Sequence, residues 1–246
     1  MVEIGDDLAV SIALVSALLL VSMWKDLLDK GGVIAALVVG LTISLLGHWT
    51  WLVVLMTFLI VGSFVTKWRF EEKAKISAEE ANAGVRGWKN VIANGGMASM
   101  IAIGNFFIGG HEWAYFMLCS SVSVAASDTL ASEIGSLDPR TRIITTLEAV
   151  PAGTNGGMSP TGTLAAFYGA LLISVVSTIL GAINGDRTPV ELFFPFVILI
   201  GWLGCQVDSI LGAMLENRGY LGKHGVNFIA TLSGSLMALF VASRLF

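Results

Sequence analysis

Eight stretches of the chain are apolar over lengths that match a lipid bilayer: residues 7–24, 31–47, 49–66, 91–110, 113–132, 161–183, 191–214 and 226–244. About 17–25 residues of α-helix cross the hydrocarbon core. In lipid every backbone N–H and C=O has to be bonded within its own segment, so runs of this kind fold as helices. Charge is too scarce for any other solution. Charged residues make up 13% of the sequence, against about 25% in soluble domains, too few to solvate the surface of a water-soluble core. A soluble enzyme, a disordered chain and a coiled coil are excluded on that ground. The expectation is an all-α fold: a polytopic membrane helical bundle of about eight transmembrane helices, one integral-membrane domain over residues 1–246. The 28 glycines suit the close helix approach such a bundle needs. Only Gly47-His48-Trp49 separates the second and third runs, which read either as two spans or as a re-entrant hairpin. Both return the chain to the side it left.

Basic residues orient the spans. The first run is flanked by Glu3, Asp6 and Asp7 rather than by Lys or Arg, and reads as a span rather than a cleaved signal. With eight spans, the loops on one side hold Lys25, Lys30, Lys67, Arg69, Lys73, Lys75, Arg86, Lys89, Arg140, Arg142, Arg218 and Lys223; the other side holds Arg187 and Arg244. The rich side is expected in the cytoplasm, with both termini on the non-cytoplasmic side. A net charge of −4 without a basic surface argues against nucleic acid as a partner. Cys119 and Cys205 lie inside apolar runs and fit neither a metal spacing nor a disulfide framework.

Two segments on the basic side are too long to be simple connections. Residues 67–90 place Lys67/Glu71 and Glu71/Lys75 at i,i+4, which predicts an amphipathic surface helix. Trp68 and Trp88 suit the headgroup level there. Residues 136–160, rich in Pro, Gly and Thr, predict a functional loop. Around these segments the sequence repeats itself: NGGMAS at 94–99 recurs as NGGMS at 155–159, each at or just before the start of a span. The next span carries Asp128-Thr129 in one case and Asp208-Ser209 in the other. An internal helix-pair repeat, 91–132 and 155–214, would bring the two acids together about a pseudo-twofold axis along the membrane normal.

Asp128 and Asp208 are the strongest chemical signals. A carboxylate in mid-bilayer costs at least about 2.5–3.5 kcal/mol, so intramembrane acids pair, ligate or face water. Glu133 follows on the same helical end, and three such oxygen donors suit Mg²⁺ with phosphate oxygens and water. The alternative for each acid, strongest for Glu133, is an ion pair with Lys or Arg or snorkelling at a helix end. In VPAGTNGGMSPTGT (150–163), Gly153, Gly156, Gly157 and Gly162 expose backbone N–H groups, and Thr154, Asn155, Ser159, Thr161 and Thr163 add donors. The segment runs into a helix N-terminus, where anions bind. Lys30-Gly31-Gly32 and Asn94-Gly95-Gly96 give two further helix starts the same character, and Arg140 and Arg142 can contact phosphate. A tight turn with a helix cap is the alternative. Of the histidines, His48 and His111 map to the outer side and only His224 to the inner, so no Ser-His-Asp or Cys-His set assembles. Such a site suits transfer to a nucleophile that is already ionised, as a phosphate monoester is above its second pKa near 6. Catalysis would then be positioning and charge neutralisation.

The segments KGGVIAALVVG (30–40), RGWKNVIANGG (86–96), SDTLASEIG (127–135), ITTLEAVPAGTNGGMSPTGT (144–163) and GCQVDSILGAMLE (204–216) together resemble the family of transmembrane protein 19 and the plant and cyanobacterial phytyl-phosphate kinases. SDTLASEIG is also similar to the short Asp-containing motif of CTP-dependent dolichol and phytol kinases. The resemblance implies an integral-membrane, CTP-dependent kinase that converts a prenyl monophosphate to its diphosphate. By position, Asn94, Asp128, Glu133, Asp208 and the loop Gly153, Thr154, Asn155, Gly156 and Gly157 would form the nucleotide–Mg²⁺ site. The expected partners are Mg²⁺, CTP, a prenyl-phosphate lipid with its head near Asn94, Lys30 and Arg140, and the bilayer; association into a homo-oligomer stays open. A transporter or flippase for a phosphorylated or anionic lipid, and a CTP:lipid-phosphate cytidylyltransferase, are the alternatives.

Overall fold

In the computed structural model, which describes residues 4–75 and 84–245, each apolar run forms a helix. In chain order these are α1 (Ile4–Trp24), α2 (Lys30–Leu46), α3 (Trp49–Lys67), the short α4 (Phe70–Lys75), α5 (Trp88–Phe107), α6 (Ala114–Gly135), α7 (Pro160–Asn184), α8 (Val190–Leu211) and α9 (Lys223–Leu245). Six are long and apolar enough to cross a membrane: α1, α3, α6, α7, α8 with its continuation to Glu216, and α9. The other two of the expected eight fall short for different reasons. α2 has only 17 residues, and α5 is diluted by Asn90, Asn94 and Asn105. Between α6 and α7 two short strands, β1 (Arg142–Ile143) and β2 (Gly157–Met158), pair antiparallel and fold the intervening loop back on itself.

The bundle is organised around α6, which packs against α3, α5, α7, α8 and α9. Lipid tails are as apolar as leucine, so helices associate in a bilayer through close packing of small residues rather than through apolarity. Along α6 Ser120, Ser121, Ser123, Ala125, Ala126 and Ser127 are all buried. Glycines of the neighbours meet them: a Cβ at Gly201 of α8 would fall 2.0 Å from Ser123 Oγ. Ser123 Oγ donates to the Val197 carbonyl at 3.0 Å and Tyr115 OH to that of Ser177 at 2.7 Å, tying α6 to α8 and α7. Ile34, Val38, Phe64, Ile179 and Phe240 are exposed around the outside, as lipid-facing residues are.

Connections gather at two ends. At one, Lys67 Nζ donates to the carbonyls of Lys25 (2.7 Å) and Asp26 (3.0 Å), and Asn217 Nδ2 donates to that of Asn155 (3.0 Å). At the other, His48 lies 4.0 Å from Asp7 and Asn184 Nδ2 donates to Thr50 Oγ1 at 3.1 Å. Segment 67–90, expected to carry an amphipathic surface helix, holds the short α4. α3 ends at Lys67, Arg69 takes a positive φ of 51°, and α4 starts at Phe70. Lys67 is engaged with the α1–α2 turn instead of Glu71, and the ion pair of this turn is Arg69–Glu72. Residues 76–83 lie outside the described residues.

Candidate functional site

A cavity of 240 Å³ opens between the C-terminal half of α6, the loop before α7, the end of α8 and the start of α9. Asp128 of α6 and Asp208 of α8 both line it, and their carboxyls interact directly. Asp208 Oδ2 is buried without a hydrogen-bond partner. Two carboxyls facing each other in a low-dielectric wall repel unless a proton or a cation lies between them. The pair fits Mg²⁺, which takes one or two carboxylates and completes its shell with water and phosphate oxygens. Among the described residues no group of three or more His, Cys, Asp or Glu forms a metal cage.

The Gly-rich loop forms the opposite wall. β1–β2 pairing and the bond from Ile144 N–H to the Gly156 carbonyl (3.0 Å) fold it inward, and Gly153, Thr154, Asn155, Gly156 and Gly157 all line the cavity. Gly156 is required twice over. Its φ is +75°, and a Cβ there would fall 2.5 Å from Ala213 Cβ and 2.7 Å from the Ser209 carbonyl oxygen. Beneath it α8 widens into a π-helical turn, Gly212–Glu216, closed by the bond from Asn217 N–H to the Gly212 carbonyl. Such turns recur at functional sites. Here the turn brings Glu216 to the cavity, where Gln206, Ser209, Lys223 and Asn227 join it. Sequence reasoning assigned none of these five a role. Glu216 follows Asp208 at a spacing of eight, nearly the same helical face, and that spacing was the available signal. Nothing in hydropathy announces the π turn.

Four expected site residues stand elsewhere or do something else. Glu133 touches the cavity wall, but its Oε2 accepts from Lys73 Nζ at 2.5 Å, and the same ammonium donates to the carbonyls of Val65 (3.2 Å) and Thr66 (2.7 Å). Lys73 is fully buried, so Glu133 is its counter-charge, and the expected metal role gives way to an ion pair. Asn94 lies within α5, not at its start, and donates to the Asn90 carbonyl (3.0 Å) and side-chain oxygen (3.2 Å). It is absent from this cavity and lines a second one. Lys30 is exposed, and the N–H groups of its helix are served by Asp29, whose Oδ1 accepts from Gly32 N–H at 2.6 Å. Arg140 grips Asp138 with Nε and Nη2, both at 2.9 Å. Asp138 also accepts from Thr161 Oγ1 at 2.8 Å and from Thr161 N–H at 3.3 Å. The start of α7 is thus filled by the protein's own carboxylate, and the Arg140 bonds hold that carboxyl well below its usual range. Arg142 closes the β1–β2 loop through the Leu147 carbonyl. Among the described residues lining the cavity, Lys223 is the one cation.

The repeated strings also take different structures. NGGMAS is helix, whereas NGGMS is the last part of the loop, β2 and the Ser159 cap of α7. The two aspartates nonetheless meet.

A family model described as "Integral membrane protein DUF92" matches residues 13–235, which include every residue of the cavity. The chain belongs to this family. It is 34% identical to an uncharacterized membrane protein of Methanocaldococcus jannaschii over 239 residues, 95% of this chain and 94% of the relative. It is 32% identical over 220 residues to an uncharacterized membrane protein of Synechocystis sp., 87% of this chain and 83% of that one. Protein VTE6, chloroplastic, of Arabidopsis thaliana is 29% identical over 221 residues, covering 86% of this chain and 64% of the relative. No solved structure matches.

Proposed function

We propose that this DUF92 chain is an integral-membrane kinase that transfers the γ-phosphate of CTP to a prenyl monophosphate, such as phytyl or geranylgeranyl phosphate, to give the prenyl diphosphate. One observation carries the reading: Asp128 and Asp208 meet beneath a Gly-rich loop, with Asp208 Oδ2 buried and unpartnered. Choice of nucleotide and acceptor rests on the resemblance of SDTLASEIG and VPAGTNGG to the phytyl-phosphate kinases. Mg²⁺, when bound, supplies neutralisation of the phosphate charge. Asp128 and Asp208 would hold it. The loop Gly153–Gly157 and, from α9, Lys223 line the same cavity and would face the donor phosphates; the Thr154 and Gly157 N–H groups are taken up inside the loop by the carbonyls of Pro151 and Thr154. An oxygen of the acceptor phosphate attacks the γ-phosphorus in line, the γ-phosphorus–oxygen bond to CDP breaks, and CDP leaves. No general base is needed, because a phosphate monoester has lost its second proton above about pH 6. The cavity end would face the cytoplasm, with both termini on the far side, as the basic residues require.

A flippase would hold its acids near mid-membrane. Asp128 and Asp208, by contrast, lie in the C-terminal halves of their spans, about two turns before the ends at Gly135 and Glu216. Asp128→Asn and Asp208→Asn are each expected to reduce CTP-dependent diphosphate formation at least 10³-fold, on the order of 4 kcal/mol of transition-state stabilisation, while helical content by circular dichroism is kept. Wild-type turnover in either variant would refute the site.

A further inference from the structure

The acid-lined cavity reaches the outer surface of the bundle between α7 and α8. Around α6 the helices pack too closely to admit a chain. A Cβ at Gly169 of α7 would fall 2.7 Å from the Ala126 carbonyl oxygen, one at Gly204 of α8 2.2 Å from Val124 Cγ2, and one at Gly234 of α9 2.6 Å from that same atom. α7 and α8 are also close at Gly201, where a Cβ would fall 3.0 Å from Ala170 Cβ. About two turns nearer the start of α7 they are joined through a side chain: Trp202 Nε1 donates to the Thr163 carbonyl at 3.4 Å, and the Trp202 carbonyl accepts from Gln206 Nε2 at 3.4 Å. Thr163 and Gln206 line the cavity and Trp202 does not. Trp202 is half-buried, so the exposed part of its ring lies on the outer surface. Phe167 stands one turn from Thr163 on the same face of α7, and Leu199 one turn from Trp202 on α8; they are 41% and 45% exposed. The groove between the two helices therefore runs from polar groups at the cavity, through an indole, to apolar side chains at the surface. On the α9 side the cavity instead carries Glu216 and Lys223, charges that offer a hydrocarbon no favourable seat.

We propose that the α7–α8 groove is the lateral entry for the acceptor lipid, a prenyl monophosphate: its phosphate reaches the acid pair past Thr163 and Gln206, while its chain lies against Phe167, Leu199 and Trp202 and continues into the bilayer. The substrate's own chemistry requires such a route. Drawing a prenyl chain into water is strongly unfavourable, so the head can enter the cavity only where the chain stays in lipid. An indole suits the boundary, with its N–H bonded on the cavity side and its apolar ring against the hydrocarbon. Gln206 and Thr163 belong to both groove and cavity, so the lipid phosphate and the acid pair share one space. Phe167, Leu199 and Trp202 then determine which chains are accepted. This placement rests on the kinase reading for the identity of the lipid.

Photocrosslinking without nucleotide separates the two ideas. Purified protein in nanodiscs is irradiated with a geranylgeranyl monophosphate analogue carrying a diazirine in its first isoprene unit, with and without excess geranylgeranyl monophosphate. Adducts lost to competition are expected on the α7 and α8 peptides that hold Phe167, Leu199 and Trp202. Phe167→Ala and Trp202→Ala are each expected to weaken binding of geranylgeranyl monophosphate about tenfold. Phe240→Ala, which removes a lipid-facing ring on α9, is expected to change it less than about twofold. Competed adducts confined to other helices, or none at all, overturn the proposal. So does unchanged binding in Phe167→Ala and Trp202→Ala, or in Phe167→Ala alone should Trp202→Ala not fold. Groove adducts from wild-type protein that forms no diphosphate with CTP support the groove and refute the kinase reading. Diphosphate formed by protein whose competed adducts lie elsewhere refutes the groove and supports the kinase.

Discussion

Lys73 and Asp208 show two opposite ways of keeping a charge inside one bundle. Lys73 is satisfied on all sides, by Glu133 and by the last carbonyls of α3, whereas Asp208 keeps a buried oxygen with no partner. The first is a structural contact. Removing one member of a buried pair costs about 3–5 kcal/mol because the other is stranded, and removing both costs much less. Lys73→Met and Glu133→Gln are therefore each expected to destabilise by that amount, and the double variant by less than the two together, in denaturation of the detergent-solubilised protein. At the other end of the bundle, burial pushes the Asp186 carboxyl up to about 6, with Glu112 adding to the shift and Thr188 opposing it. Its folded pKa lies above its unfolded one, so the contribution to stability is present below about pH 4 and lost as pH rises through 6. Asp186→Asn should raise the thermal midpoint at pH 8 by a few degrees, on the order of 2–4 °C, and leave it unchanged at pH 4. A thermal scan at the two pH values checks this. The Asp128–Asp208 pair was legible in the sequence because two acids in apolar runs announce themselves. An ion pair was the alternative open for Glu133, but its partner was not legible, because Lys73 lies 60 residues away on α4 and no local spacing encodes it.

At the scale of elements, hydropathy placed all eight helices, since the bilayer leaves each run no alternative to a helix. It was less reliable where two identical strings met different neighbours. The first NGGM follows Val91-Ile92-Ala93 and continues a helix; the second lies between Pro151 and Pro160, which break one. The loop of the second copy docks on the π-helical turn through Gly156, where any side chain would strike Ala213 and the Ser209 carbonyl. Gly156→Ala is expected to lift the loop, lower turnover at least tenfold, and leave the α6–α7–α8 packing intact. Limited proteolysis should show new cleavage between residues 144 and 156 and no change elsewhere. Wild-type turnover with unaltered proteolysis would show that the loop does not depend on this contact.

For the whole molecule, the basic residues and the cavity coincide at one end of the bundle. Cys119 and Cys205 are both buried, so thiol labelling of introduced cysteines has little background. Arg218→Cys is expected to react with an impermeant maleimide only after the membrane is opened, and Arg187→Cys in intact cells; the reverse pattern would invert the topology. The family and the membrane bundle were readable from hydropathy and motifs together. The groove between α7 and α8 was not, because Trp202 lies 39 residues from Thr163 and reads in the sequence as one more residue of an apolar run. The central claim concerns the reaction. Purified protein should be incubated with Mg²⁺, γ-labelled CTP and geranylgeranyl monophosphate, and both products identified. The account predicts labelled geranylgeranyl diphosphate and CDP in equal amounts, both lost in Asp128→Asn. Release of pyrophosphate with a cytidylylated lipid, or an unaltered prenyl monophosphate, would contradict it.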